Sequence, residues 1–409
     1  MAANPGLNVD WHPGALPAGT GVQLQTVVTV DGNAAKATLY TPAGRAPRDT
    51  TVVVLMHPRV DFSRHYLIPA LLEAGIAVHA QQARDSGSDM RLVHEQAVLD
   101  LGAGLEWLHG RGFRRTVGLG NSGGGGLLTY YVQQSLRAPA DRIARTPAGR
   151  PSRLDRAVLP GLDALAYLAP HPGQGPLLSR CIDPSVTVEA DPFSADPALD
   201  PFDEKNGYRP APESSRYAPD FVRRYRAAQL DRVARIDAVA REHVAESLAA
   251  RRAVKAGSAT AARSRRAGTA RLLTVWRTDA DLRAVDLGLD PSERSYGSVF
   301  GPRPEVTNYG VVGFGRTSTP DAWLSTWSAL SSNATIAKAG PEMTLPTMVV
   351  GYGADNCVFP GDVEGILAAI GSSDRQVTTI AADHYGVPVG GGARDGAAAL
   401  LVPWLRDLP

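Results

Sequence analysis

The sequence predicts an α/β protein with a mostly parallel central sheet of about eight strands and flanking helices. Strand-like and helix-like segments alternate over roughly the first 170 residues, and the same alternation resumes after residue 345. One strand-like run, residues 51–56, is continuously apolar, which is typical of a parallel strand that is buried on both faces. A segment without this alternation separates the two parts, so we expect one sheet interrupted by an insertion.

The first part begins with a predicted β-hairpin and continues as alternating strands and helices. Two β-forming runs, residues 23–30 and 36–40, flank the turn-forming sequence DGN. Residues 51–56 (TVVVLM) form a short apolar run that predicts a buried strand. The later predicted elements are a helix at 66–74, a strand at 75–80, a helix at 94–108, a strand at 115–120, a helix at 127–134 and a strand at 162–169.

The last part of the chain repeats this order. It contains a predicted strand at 345–351, a helix at 362–370, a strand at 376–381 and a closing helix at 397–405. Strands that are joined through helices run parallel to each other. The two parts together therefore supply the eight strands of a single sheet.

The middle of the chain is predicted to be a largely helical cap, inserted between the sixth and seventh strands. Residues 183–216 are rich in Pro, Asp and Ser, which indicates irregular structure. Residues 220–255 carry apolar side chains at helical spacing, which predicts one or two long helices. We therefore divide the chain into a first part of the core (1–170), the cap (171–341) and a second part of the core (342–409).

Composition and charge restrict the classes of protein that are compatible with the sequence. The chain has 409 residues and a net charge of +1, and two cysteines, Cys181 and Cys357, are too few for a disulfide framework. Residues 1–17 lack the apolar stretch of a signal peptide. No apolar run approaches the roughly 18 residues of a membrane helix. We expect a cytoplasmic protein that does not associate with membranes.

A basic stretch within the insertion has two interpretations. Residues 216–271 contain fourteen Lys and Arg against five Asp and Glu, an excess of nine positive charges. Either this stretch attracts an anionic substrate, or it is the solvated face of a long helix. It lacks the interleaved aromatic and basic residues that are typical of nucleic-acid binding, so we expect no nucleic-acid partner. No His, Cys or Asp cluster has metal-ligand spacing, so we expect no metal.

The candidate nucleophile lies in a glycine-rich segment between a predicted strand and a predicted helix. Residues 118–126 have the sequence GLGNSGGGG, with Ser122 at the centre. A serine that presents its hydroxyl at a sheet edge needs a sharp turn with small residues two positions before and after it, and Gly120 and Gly124 meet that need. The segment lacks the Lys of a phosphate loop and the G-x-G-x-x-G of a dinucleotide site. A plain glycine-rich turn remains the alternative.

On this segment and two later ones, the chain resembles the α/β-hydrolase superfamily over residues 23–134 and 345–405. In that superfamily the nucleophile, the acid and the histidine follow one another in this order along the chain. Asp355 closes the sequence GYGAD after the seventh predicted strand, and His384 lies in AADHYG after the eighth. The resemblance implies that Ser122 is the nucleophile, that His384 is the base, and that Asp355 orients the base.

The resemblance also implies an oxyanion hole formed by two backbone N–H groups. Gly123, directly after the nucleophile, supplies one of them. In the superfamily the second lies in the loop after the third strand, where this chain has Pro58 instead of the usual Gly. Proline has no N–H, so the matching donor is Arg59, and the missing Gly-Gly argues against the subgroup with an H-G-G-G loop. Asn121 resembles the residue that precedes the serine in hydrolases of dienoic diketone acids.

The function that the resemblance implies is hydrolysis of a carboxylic ester, or of a lactone or thioester, through an acyl-enzyme on Ser122. One alternative is a carbon–carbon bond hydrolase that acts on diketone acids, and another is a non-catalytic ligand-binding protein with the same fold. Within the site, Asp383 is the alternative to Asp355 as the acid. We expect a small-molecule substrate and no cofactor, and we leave the oligomeric state open, with a homodimer among the options.

The residues that bind the substrate have no recognisable motif, so we leave them unassigned. Aromatic side chains of the insertion either line a pocket above Ser122 or form the core of the insertion itself. These are Tyr217, Phe221, Trp276, Phe300, Tyr309, Phe314, Trp323 and Trp327.

Overall fold

The computed structural model describes residues 16–408 and contains an eight-stranded sheet. The strands lie side by side in the order β1-β2-β4-β3-β5-β6-β9-β10, so the predicted fold class and strand number are confirmed. The prediction that residues 1–17 contain no signal peptide concerns mainly residues outside the described range, which includes only residues 16 and 17 of this segment. The strands are β1 (Gly21–Val28), β2 (Ala34–Thr41), β3 (Thr51–Leu55), β4 (Ala77–Gln81), β5 (Arg115–Asn121), β6 (Ala164–Leu168), β7 (Leu273–Thr274), β8 (Thr317–Ser318), β9 (Thr347–Tyr352) and β10 (Arg375–Ile380).

Helices cover both faces of the sheet and form part of the insertion. Among residues 16–408, no helix has the length and apolar character that crossing a bilayer requires. The helices are α1 (Ile68–Glu73), α2 (His94–His109), α3 (Gly124–Leu136), α4 (Gln174–Cys181), α5 (Pro219–Lys255), α6 (Ala261–Gly268), α7 (Pro304–Thr307), α8 (Pro320–Ala322, continued as a π-helix over Trp323–Trp327), α9 (Ile336–Ala339), α10 (Pro360–Ala369) and α11 (Gly396–Asp407).

The central strands are apolar because both of their faces are covered. Alternate side chains of a strand point to opposite faces of the sheet. In β3, Val52 and Val54 belong to one hydrophobic cluster and Val53 and Leu55 to another. Burying such a side chain contributes about 1.5–3 kcal/mol, which explains why the apolar run predicted this strand so directly.

The parallel strands bring the candidate functional residues to one edge of the sheet. The hairpin of β1 and β2 is antiparallel, as is the pairing of β2 with β4, and the pairings from β4 through β10 are parallel. Parallel strands end at the same edge, where open α/β sheets bind their ligands. The loops after β3, β5, β6, β9 and β10 carry, in turn, His57, Ser122, His171, Asp355 and His384.

The insertion between β6 and β9 is organised around one helix of 37 residues, α5. Val233 and Ile236 of this helix pack with Trp323 and Trp327 in a hydrophobic cluster of the insertion. The two-residue strands β7 and β8 form a small antiparallel ribbon that the sequence did not predict. Toward its end the insertion returns to the core, where Ile336 packs in the cluster below α3. The division at 171 and 341 stays a prediction.

Several charges of the basic stretch are neutralised by nearby carboxylates. Arg226 lies 2.7 Å from Asp281, and Arg232 lies 2.7 Å from Glu189. Arg232 is fully buried, so its pairing holds α5 against the rest of the insertion. These contacts support a structural role for part of the stretch, and an attraction of anionic substrates stays a hypothesis.

Candidate active site

Ser122 occupies a sharp turn between β5 and α3. Its backbone has a φ of +54°, a left-handed conformation that a non-glycine residue adopts only when its surroundings impose it. The Ser122 N–H donates to Leu168 O at 2.9 Å, and the Ser122 carbonyl accepts from the Gly125 N–H at 3.1 Å. A Cβ on Gly120 would lie 2.7 Å from Gly125 Cα, so this position requires glycine. The glycine-rich motif therefore folds as the sharp strand-to-helix turn that a nucleophile elbow requires.

We expect Gly120→Ala to lower the free energy of unfolding by about 1–3 kcal/mol, because the added methyl group meets backbone and not a movable side chain. Gly365→Ala is the matched control: Gly365 lies inside α10, and a Cβ there meets no atom within 4 Å. That control should leave stability unchanged or raise it slightly. Chemical denaturation of both variants measures the difference, and equal stabilities would contradict the close approach at Gly120.

The structure brings Ser122, His384 and Asp355 together in one hydrogen-bonded chain. Ser122 Oγ lies 3.0 Å from His384 Nε2, and His384 Nδ1 lies 2.7 Å from Asp355 Oδ2. Asp355 and His384 are both buried, whereas the Ser122 side chain is partly exposed. With its Nδ1 proton directed at Asp355, the imidazole has a free lone pair on Nε2 that can accept the serine proton.

The two candidate acids differ in where their oxygens point. The second oxygen of Asp355, Oδ1, accepts from the backbone N–H groups of Cys357 and Val358 at 2.7 and 2.9 Å, which fixes the carboxylate toward His384. Asp383 Oδ1 instead accepts from the N–H groups of Tyr385 and Val387, both at 2.9 Å, and so stabilises its own loop. The carboxylate that contacts the His384 ring is therefore Asp355.

The electrostatic surroundings of His384 favour the protonated form of its imidazole. Burial acts to lower the pKa of this imidazole, but the charge of Asp355 and its hydrogen bond, with the charge of Asp383, outweigh burial. The net effect raises the pKa of His384 above its ordinary value of 6.5. A base with a raised pKa binds the serine proton more strongly, as long as the working pH keeps it deprotonated.

Asn121 is used to hold the elbow. Its side-chain nitrogen donates to Leu168 O at 2.9 Å, and its oxygen lies 3.1 Å from His65 Nε2. His65 Nδ1 accepts from the Leu67 N–H, so the proton of this ring is on Nε2 and donates to Asn121. Both polar ends of Asn121 therefore have partners within the core, which gives this residue a structural role that the sequence motif did not indicate.

The Arg59 N–H, which the sequence predicted as the second oxyanion donor, has an acceptor within the protein. This N–H donates to His57 Nδ1 at 3.0 Å, as does the Val60 N–H, also at 3.0 Å. The Arg59 side chain is an ion pair with Asp89 at 2.6 Å and lies over the Phe314 ring of the insertion. The contact of the Arg59 guanidinium with Phe314 thus joins the loop after β3 to the insertion, while its N–H bonds within the loop. Gly123 remains the predicted donor at the start of α3.

A narrow cavity of about 60 Å³ opens beside Ser122 and His384. His57 forms part of its wall, and the insertion contributes Val299, Phe300 and Phe314. Phe300 and Phe314 therefore line the cavity, in agreement with the interpretation that aromatic residues of the insertion form a pocket near Ser122. Trp323 and Trp327 belong to the core of the insertion, as do Tyr217 and Phe221.

Comparisons with known proteins are informative for the fold alone. No protein-family model matches the chain, and no curated protein matches it. A hypothetical protein from Pseudomonas aeruginosa has a similar structure, with 13% identity and a TM-score of 0.50, over 96% of this chain and 95% of that chain. Brefeldin A esterase, a bacterial homologue of human hormone-sensitive lipase, has 14% identity and a TM-score of 0.42, over 96% and 74%. An esterase domain from a Rhodothermus marinus protein has 11% identity and a TM-score of 0.44, over 94% and 98%.

The sheet and the elbow together define an α/β protein whose functional edge presents a serine after its central strand. Two antiparallel pairings lie at one end of the sheet, and Ser122, Asp355 and His384 follow one another in this order along the chain. Both features agree with the resemblance found in the sequence. This strand order, with a serine on the turn after the central strand, is that of the α/β-hydrolase fold. The resemblance in the sequence is thereby confirmed at the level of the fold.

Proposed function

We propose that this protein is a serine hydrolase that cleaves a carboxylic ester, or a related lactone or thioester, through an acyl-enzyme on Ser122. The observation that supports this most directly is the hydrogen-bonded chain from Ser122 Oγ through His384 to Asp355, with distances of 3.0 and 2.7 Å. The apolar wall beside it favours an uncharged acyl or alcohol group next to the scissile bond.

In the proposed reaction, Ser122 Oγ attacks the acyl carbon while His384 Nε2 accepts the serine proton. Negative charge develops on the former carbonyl oxygen, and Asp355 stabilises the imidazolium that has formed. When the acyl–oxygen bond breaks, His384 returns the proton to the departing alcohol. A water molecule then attacks the acyl-enzyme with His384 again as the base, which releases the acid and restores Ser122.

The alternatives are weaker on the geometry of the site. The carbon–carbon bond hydrolase was suggested by Asn121, whose side chain is directed at Leu168 and His65 and serves the fold. A non-catalytic binding protein has no need for a serine held in a left-handed conformation against a histidine and a buried carboxylate. A cytoplasmic location and a small-molecule substrate are part of the proposal, as predicted from the sequence.

The decisive experiment combines a fluorophosphonate probe with a panel of substrates. We expect the probe to label Ser122, as located by peptide mass spectrometry, and we expect turnover of p-nitrophenyl esters within a series of graded chain length. Diketone acids are assayed beside them. Turnover of the diketone acids alone would support the carbon–carbon bond hydrolase, and absence of both labelling and turnover would support the non-catalytic protein.

We expect kcat/KM for ester hydrolysis to fall as the pH is lowered, with a midpoint above pH 6.5. His384 accepts the serine proton only when it is deprotonated, and its pKa is raised above 6.5 mainly by Asp355. A pH profile of kcat/KM measures the midpoint in the free enzyme. Asp383→Asn is the control and should shift the midpoint only slightly downward. An acidic limb centred well below pH 6.5 would contradict the assigned environment of His384.

A further inference from the structure

Three side-chain nitrogens surround Gly123, the residue directly after the candidate nucleophile. A Cβ built on Gly123 would lie 2.3 Å from Gln174 Nε2, 2.8 Å from His57 Nε2 and 2.9 Å from His171 Nε2. The three nitrogens therefore border the small volume directly beside the Gly123 Cα, which is too tight for a side chain at position 123. His57 lies in the loop after β3, His171 lies between β6 and α4, and Gln174 is the first residue of α4. The strand order makes these segments neighbours of the elbow.

The backbone N–H of Gly123 faces this same volume. Gly123 has helical dihedral angles, with a φ of −63° and a ψ of −16°, and stands at the start of α3. In this conformation the N–H and the Cα–Cβ direction both tilt toward the N-terminus of the helix. An oxygen atom that accepts from the Gly123 N–H is consequently placed close to the three nitrogens.

Hydrogen bonds assign the ring protons of both histidines. His57 Nδ1 accepts from two backbone N–H groups, those of Arg59 and Val60, at 3.0 Å each, so the proton of this ring is on Nε2. His171 Nδ1 accepts from the Gly173 N–H at 3.2 Å, which places its proton on Nε2 as well. Each ring therefore directs an N–H donor toward the volume beside Gly123.

Gln174 is 1% exposed, and neither its Nε2 nor its Oε1 has a hydrogen-bond partner within residues 16–408. The hydrogen bonds of His57 and His171 with backbone N–H groups are made at Nδ1, not at Nε2. Buried polar groups are normally paired, so an unpaired amide beside two imidazole N–H groups indicates a place where a ligand supplies partners.

Both imidazoles are held in the neutral form. Burial, together with the nearby positive charge of Arg59, holds the pKa of His57 well below its ordinary value, and burial lowers the pKa of His171 to about 3. Neutral N–H donors suit this position because a permanent positive charge there would oppose protonation of His384. They strengthen their hydrogen bonds as negative charge develops on the acceptor.

We propose that His57 is a catalytic residue whose Nε2–H, together with the Gly123 N–H, forms the oxyanion hole for acyl transfer at Ser122. Of the three side chains, His57 lines the cavity that also holds Ser122 and His384. The loop itself offers no backbone donor here, because Pro58 has no N–H and the Arg59 N–H donates to His57 Nδ1. The Nε2–H of His57 takes the place of that missing backbone donor. The inference rests on the proposed function, because it assigns the group that receives the negative charge of that reaction.

Two variants of His57 separate donation to the substrate from support of the loop. His57→Asn keeps an amide oxygen near the position of Nδ1, where it can accept from the Arg59 and Val60 N–H groups, but has no group that reaches Gly123. His57→Gln places an amide nitrogen near the position of Nε2. We expect His57→Asn to lower kcat by about 10²–10³-fold with little change in KM, and His57→Gln to recover a measurable part of the loss.

Matched oxygen and sulfur substrates give a readout that a structural role would not change. Each variant is assayed on a p-nitrophenyl ester that the wild type hydrolyses and on the thionoester with sulfur in place of the carbonyl oxygen. Sulfur is a poor hydrogen-bond acceptor, so the wild type should prefer the oxygen ester, and this preference should shrink in His57→Asn and return in part in His57→Gln. Circular dichroism confirms that the variants are folded, and His171→Asn is compared with them.

The outcomes distinguish the inference from the function on which it rests. A wild type that neither turns over esters nor reacts with a fluorophosphonate removes the proposed function. If the wild type is active, unchanged kcat and ester preference in His57→Asn would overturn the inference alone. Equal losses in the Asn and Gln variants with an unchanged ester preference, or a loss of preference in His171→Asn only, would overturn it as well.

Discussion

Replacing Ser122 with alanine is expected to lower kcat for ester hydrolysis by at least about three orders of magnitude and to abolish labelling by a fluorophosphonate. The substitution removes the atom that attacks the acyl carbon in the proposed reaction, and the rest of the hydrogen-bonded chain cannot replace it. Stability should change little, because alanine and serine share a Cβ and meet the same strain at a φ of +54°. Steady-state kinetics, circular dichroism and thermal unfolding measure these effects.

Ser264→Ala is the matched control for this change. Ser264 is exposed on α6 of the insertion, so its replacement should alter neither turnover nor labelling. A folded Ser122→Ala protein with wild-type turnover would refute the proposed function as a whole. A variant that loses activity together with its secondary structure would have to be compared with a second replacement, Ser122→Cys, which keeps a nucleophilic atom at the elbow.

The sequence could predict the sheet because strands that are buried on both faces are rich in apolar residues at successive positions. Residues 51–56 showed this pattern so clearly that the observed strand, Thr51–Leu55, ends within one residue of the prediction. The edge strand Arg375–Ile380 was predicted within one residue at each end, although most of its side chains are exposed. Its β-branched residues carried that prediction.

The insertion was less predictable because its contacts are not periodic. Residues 219–255 form one helix, where the sequence predicted one or two over residues 220–255. The strands Leu273–Thr274 and Thr317–Ser318 are two residues long and lie more than forty residues apart, so no sequence pattern indicated that they pair. The same limit applies to the aromatic residues, since helical spacing cannot decide whether Phe314 faces a cavity or a core.

Motifs in the sequence predicted one part of the candidate site and not the other. Chain order placed Ser122, Asp355 and His384 in the loops that the structure brings together. The prediction of the second oxyanion donor depended on the direction of the Arg59 N–H. In the structure this N–H points at His57 Nδ1, which accepts its hydrogen bond. Nothing local in the sequence indicates this role, because the neighbours of His57 that matter lie after β5 and β6.

The variants Asp355→Asn and Asp383→Asn are expected to show which carboxylate orients His384. We expect Asp355→Asn to lower kcat by about 10³–10⁴-fold, because an amide can donate to Nδ1 and so stabilise the tautomer whose proton is on Nε2. That tautomer cannot accept the proton of Ser122. Asp383→Asn should lose far less activity, since its carboxylate accepts from the Tyr385 and Val387 N–H groups of its own loop.

The pH profile adds a second, independent measurement on the same two variants. Asp355 supplies the largest contribution that raises the pKa of His384, so Asp355→Asn should move the acidic limb of the residual kcat/KM to lower pH. Asp383→Asn, whose charge contributes less, should leave the limb almost where it is in the wild type. If the larger loss and the larger shift both belonged to Asp383→Asn, Asp383 would be the acid and the hydrogen bond of 2.7 Å from His384 to Asp355 would have no catalytic role.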